Sequence, residues 1–125
     1  MITIYHYPRC SKSREALALV EEFAKDKQIA LHVVNYFETP FDRAALTKIV
    51  QQLADGSGQQ LSDLVRSSET AFVESGLTLS DEEAVLQLLA DQPALVQRPI
   101  VVAAGKAMIA RPATGLHNWL QQVLA

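Results

Sequence analysis

Strand-forming sequence is confined to the two ends of this chain, and that placement limits the folds open to it. Ile2-Thr3-Ile4-Tyr5 alternates apolar and polar as a half-buried strand does. Leu31-His32-Val33-Val34-Asn35-Tyr36-Phe37 is a second β-branched and aromatic run, stopped by Thr39-Pro40. Near the other end, Pro99 to Ala104 and Ala107 to Ala110 flank Gly105-Lys106 as a hairpin with a two-residue turn. Between the first two strands, Ala16, Leu17, Leu19, Val20, Phe23 and Ala24 recur at helical spacing on one face. Two strands joined through one helix are expected to run parallel, with a right-handed crossover.

The middle of the chain is helical in pattern. Phe41 to Ala54 carries Ala45, Leu46, Ile49, Val50 and Leu53 at helical spacing, and Asp55-Gly56-Ser57-Gly58 follows as a loop. Leu61, Leu64 and Val65 predict a short helix with Ser62 or Ser67 near its ends, and Ala71 to Glu74 another, closed by Gly76. Ser80-Asp81-Glu82-Glu83 is a capping-box pattern ahead of Val85, Leu86, Leu88 and Leu89, and Pro93 ends that helix. Thr114 is placed to cap a final helix that turns Leu116, Trp119, Leu120 and Val123 inward. A βαβ half followed by a ββα half is the thioredoxin-like α/β arrangement. At 125 residues the chain suits one domain with a normal core, residues 1–125, with a helical insert at about 42–93.

Charge is unevenly spread. Residues 42–93 hold nine acids and three bases, a local balance of −6, whereas the remainder holds five acids and eight bases, +3. An acidic middle repels nucleic-acid phosphates, while the basic remainder suits a small anion. No apolar run approaches the ~18 residues of a membrane span, and the N-terminus opens directly into a strand, unlike a signal peptide. One cysteine excludes an internal disulfide and suits a reducing cytosol. The expectation is a cytoplasmic monomer without nucleic-acid or membrane partners.

That cysteine, Cys10, falls where the first strand hands over to the first helix. Helix starts present free backbone N–H groups and a positive dipole end, which favour an anion. A thiol there can fall from about 8.5 into the ~3.5–7.5 range. His6, Arg9, Lys12 and Arg14 crowd the same segment, and any cation near a thiolate acts in the same direction. Burial as a small hydrophobe is the common fate of a lone cysteine, but flanking Arg9 and Lys12 do not suit an apolar site. The weight falls on a reactive thiolate.

Several chemistries are excluded by single positions. A dithiol C-x-x-C needs a second cysteine at position 13, where Ser13 stands; a phosphatase-type C-x-x-x-x-x-R needs arginine at position 16, where Ala16 stands. Any oxidised or esterified Cys10 must therefore be resolved by an outside thiol. Three scattered histidines and no second cysteine leave no metal site, and no bound cofactor is implied by a glycine-rich nucleotide loop. Arg66 lies near the end of a short helix, and Arg98 and Arg111 each precede a proline, Pro99 and Pro112. Arginine's planar fork suits two oxygens of a tetrahedral anion at once.

With these features in place, the chain resembles the thioredoxin-like arsenate reductases that work with glutathione and glutaredoxin. His6-x-Pro8-x-Cys10-x-x-Ser13-Arg14 is similar to that family's H-x-P-x-C-x-x-S-R signature. Asp63-Leu64-Val65-Arg66 is similar to its D/A-L-L-R, Gln97-Arg98-Pro99-Ile100-Val101-Val102 to its N-R-P-I-V-V, and Ala110-Arg111-Pro112 to its C-R-P. The resemblance implies that Cys10 attacks arsenic and that Arg66, Arg98 and Arg111 hold the oxyanion. It also implies that His6 and Ser13 tune the thiolate, that Arg14 supports the loop, and that Pro99 is cis beside the thiol. Glutathione would be the thiol co-substrate and glutaredoxin the partner that restores Cys10. Ser11-Lys12 stands where the family commonly has Gly-Thr, so that Lys12 adds charge beside the cysteine. Two other readings share the fold: a monothiol exchange protein or reductase of another oxyanion, and an Spx-type regulator that binds RNA polymerase, often through a C-x-x-C switch that Ser13 removes.

Overall fold

Alternation along Ile2–His6 (β1) buries Ile2, Ile4 and His6 and leaves Thr3 and Tyr5 half-buried on the opposite side. In the computed structural model, which describes residues 1–125, β1 pairs parallel with Leu31–Asn35 (β2) and antiparallel with Ile100–Ala103 (β3). Lys106–Ile109 (β4) closes the hairpin on β3, so the sheet order is β2-β1-β3-β4. The crossover between β1 and β2 is the helix Ser11–Lys27 (α1). This is the βαβ plus ββα thioredoxin-like fold expected from the strand placement.

The sheet divides the core in two. Ile2, Ile4, Val101 and Ala103 meet Ala16, Val20 and Phe23 of α1 and Leu116, Trp119 and Leu120 of the last helix, Leu116–Val123. On the other face Ile100, Ala107 and Ile109 meet Leu46, Ile49 and Leu53 of Arg43–Gly56 (α2) and Val85, Leu86 and Leu89 of Glu82–Asp91. Between those two helices lie the short turns of helix Leu61–Leu64 (α3) and Thr70–Glu74 (α4), making Glu82–Asp91 α5 and Leu116–Val123 α6. A 3-10 turn at Pro93–Leu95 then leads into β3. Gly56 sits so close to β4 that a Cβ there would lie 2.7 Å from the Lys106 Cβ and 2.8 Å from the Ala107 backbone. Its carbonyl accepts the Trp119 indole N–H at 2.9 Å.

Several local expectations need correcting. Leu19 is 40% exposed: the buried stripe of α1 runs through Ser13, Ala16, Val20, Phe23 and Ala24, and position 19 lies to one side of it. β2 stops at Asn35, because the Asn35 side chain and carbonyl take the N–H groups of Phe37, Glu38 and Thr39 into a turn. The hairpin turn is Ala104-Gly105, one residue earlier than the glycine suggested, with φ of 53° and 76°. Two successive left-handed residues match the strand twist, at some cost for the alanine. Ser80 and Glu83 form no capping box; Asp81 is the N-cap, and its carboxylate instead accepts from Thr78. Gly115, with φ +84°, rather than Thr114, starts α6. At α3 the cap is the Gln60–Asp63 pair, and neither Ser62 nor Ser67 takes part.

Candidate active site

Cys10 is the N-cap residue of α1, in extended conformation with φ −97° and ψ 122°. The Cys10 N–H closes a turn on the Tyr7 carbonyl at 3.0 Å, and the Cys10 carbonyl accepts the first helical bond from Arg14 N–H. No side chain caps the helix and no acid stands in its first turn, so its free N–H groups are left to the half-buried thiol. Burial alone pushes the thiol up. The Ser13 N–H, Arg111, Arg98 and the Lys12 N–H outweigh that and hold it at about 7. Neither Ser11 nor Lys12 adopts positive φ, so this backbone makes no demand for glycine at either position.

Three arginine-bearing segments converge here through backbone pairing. The Ala110 N–H donates to the Pro99 carbonyl at 3.0 Å, which sets Arg111, just past β4, beside Arg98, just before β3. The Arg66 N–H donates to Leu95 O and Gln97 N–H to Leu64 O, each at 2.8 Å, about an isolated Val65–Val96 bridge. Arg111 Nη1 donates to Cys10 Sγ at 3.4 Å. Arg98 is half-buried; its Nη1 donates to the Ala94 carbonyl at 3.1 Å, and its buried Nε has no acceptor. Arg66 is turned to Glu69, 3.3 Å away, and makes no hydrogen bond to Cys10. Both Arg98–Pro99 and Arg111–Pro112 are cis, and Pro99 is buried.

The flanking residues behave less uniformly than their sequence positions suggested. His6 is buried, and burial lowers its pKa, so it is no cation pressing on the thiol. Its Nδ1 shares a 2.7 Å hydrogen bond with Ser13 Oγ, which also accepts the Tyr7 N–H at 3.0 Å. The Ser13 hydroxyl thus fixes the loop, while its backbone N–H serves the sulfur. Lys12 acts through its backbone too, since its ammonium leans to Glu15 at 3.9 Å. Arg14 braces the loop, donating to the Pro8 carbonyl at 2.9 Å. His32 is exposed on β2, and no cluster of metal-ligating side chains exists.

Sequence reasoning missed an aromatic wall beside the site. Tyr7 and Phe37 stack with centroids 3.9 Å apart and planes 20° from parallel, and the Arg98 guanidinium lies within 6 Å of both. Tyr36, wholly buried, donates its hydroxyl to the Val96 carbonyl at 3.1 Å, and burial pushes its pKa up to about 12. The available signal was an aromatic just before Pro8 and the Tyr36-Phe37 pair, which read as the end of a strand.

The chain is similar to known proteins over most of its length. The ArsC family model matches residues 5–118. An arsenate reductase of Neisseria meningitidis serogroup B is 43% identical over 113 residues, 89% of this chain and 91% of that one. The uncharacterized protein YfgD of Escherichia coli K12 is also 43% identical, over 89% of each chain. Among solved structures, the arsenate reductase from Vibrio cholerae superposes with a TM-score of 0.74 at 35% identity, covering 98% of this chain and 94% of that one.

Proposed function

Because the chain belongs to the ArsC family, we propose that it reduces arsenate to arsenite, with Cys10 as nucleophile and glutathione and glutaredoxin as the source of electrons. The Cys10 thiolate attacks arsenic and forms an S–As bond; one oxygen leaves as water, its proton supplied from solvent. Arg111 and Arg98 carry the charge on the remaining oxygens, and a well-aimed donor of this kind is worth about 3–4 kcal/mol. Arg66 is the third oxyanion group, swinging from Glu69 to the anion. Glutathione then places its sulfur on arsenic, a second oxygen leaving as water with the thiol proton. Attack on that sulfur by a second thiol, from glutaredoxin, sends an electron pair to arsenic. Two thiols leave as one disulfide and arsenic falls from As(V) to As(III); water then adds to arsenic and displaces Cys10, so that arsenite leaves and the thiol is restored.

The observation that carries the reading is a solitary thiol held near 7 at a helix start with a guanidinium 3.4 Å away. With no second cysteine in the chain, the electrons must come from outside. The test is arsenate-dependent consumption of NADPH with glutathione, glutathione reductase and glutaredoxin supplied. Turnover that needs arsenate and disappears in Cys10→Ser supports the reading. Turnover of a glutathione mixed disulfide with no response to arsenate would replace it with monothiol exchange.

A further inference from the structure

Arg98 reaches the site from a segment with little regular structure, and an unrestrained arginine loses considerable rotamer freedom when it grips an anion. Three contacts restrain it here. Nη1 is tied to the Ala94 carbonyl at 3.1 Å. The guanidinium carbon lies 5.1 Å from the Tyr7 ring centre and 5.8 Å from that of Phe37. Since those ring centres are only 3.9 Å apart, such a point lies alongside the stack and not beyond either outer face. The two rings are therefore a wall against which the guanidinium rests. With Nη1 tied to Ala94 and Nε out of reach of solvent, Nη2 is the nitrogen left for a ligand. Nε is buried with no acceptor, which costs free energy.

We propose that Tyr7 and Phe37 are positioning residues of this site: their stacked rings fix the Arg98 guanidinium so that its free Nη2 is held at the anion seat beside Cys10. The assignment rests on the proposed roles of Cys10 and Arg98, but not on arsenate being the substrate. Tyr7 comes from the loop that carries Cys10, and Phe37 from the turn after β2. The wall thus links the thiol loop, the β2 end and the arginine before β3. The tyrosine hydroxyl makes no hydrogen bond within the protein, so the ring is the working part.

The experiment needs no turnover. Protection of Cys10 from iodoacetamide by sulfate reports the anion seat, and the pH midpoint of alkylation reports the thiol. Tyr7→Leu and Phe37→Leu are expected to weaken sulfate protection about five- to tenfold, the equivalent of loosening one charge-assisted hydrogen bond. The alkylation midpoint should rise in both, and Tyr7→Phe should behave as the parent. In an Arg98→Gln background neither leucine variant should have a further effect, because the rings act through that guanidinium. Equal losses with and without Arg98, or unchanged protection in a folded leucine variant, would overturn the assignment. Should Tyr7→Leu fail to fold, the half-exposed Phe37 carries the same cycle. Failure of the parent to reduce arsenate while the cycle holds would refute the proposed substrate and leave the positioning role standing.

Discussion

Removing the Arg111 guanidinium should change not so much how fast Cys10 reacts as the pH at which it begins to react. Arg111 Nη1 donates to the sulfur at 3.4 Å, and the thiol is held at about 7. A hydrogen bond from a charged donor is worth ~1.5–3 kcal/mol, but Arg111 is exposed, so solvent screening brings it towards ~1 kcal/mol. At 1.36 kcal/mol for each pH unit, Arg111→Ala should place the thiol near 8. At pH 7 the ionised fraction then falls from about half to about a tenth. The more basic thiolate is the better nucleophile, by about threefold at a Brønsted slope of ~0.4–0.5, so much of that loss is offset. Exchange with a neutral disulfide such as dithiodiethanol should therefore be only about twofold slower in the variant at pH 7 and about threefold faster at pH 10. The two pH–rate curves should cross. Identical midpoints, with the variant folded by circular dichroism, would refute the contribution of Arg111 to the thiolate.

Other outcomes follow from the same structure. Cys10 has a depressed folded pKa, so its contribution to stability is full above the unfolded thiol's pKa of about 8.5 and fades as pH falls through about 7. Denaturation at pH 6 and pH 9 should show the parent gaining up to ~1 kcal/mol over Cys10→Ser at the higher pH, after allowance for screening; no difference would contradict the shift. Ser13→Ala strips partners from buried His6 and from the Tyr7 N–H, and should cost ~1–3 kcal/mol in urea unfolding. Gly56→Ala drives a methyl into the Ala107 backbone and should cost ~1–3 kcal/mol while leaving the Cys10 alkylation midpoint unmoved, because the clash lies at the start of β4, away from the thiol.

Local spacing was enough to place the strands, the crossover helix and Cys10 at its start, because period-two and helical apolar patterns depend on neighbours in sequence. The same signals placed the turn within one residue but not on Ala104, whose left-handed backbone is imposed by the β3–β4 register. Likewise, a serine and two acids in the right order did not make a capping box at α5, since Asp81 found Thr78 first.

At the site, the residue types were legible in the sequence and their partners were not. Which nitrogen meets the sulfur, that Ser13 offers it an N–H while its hydroxyl goes to His6, that burial keeps His6 neutral, and that Lys12 leans away to Glu15 were all decided by packing. Tertiary structure alone brought positions 7, 37 and 98 together. Hydrogen-bond partners and desolvation depend on residues far apart in the chain, whereas a helix start depends only on the few residues around it.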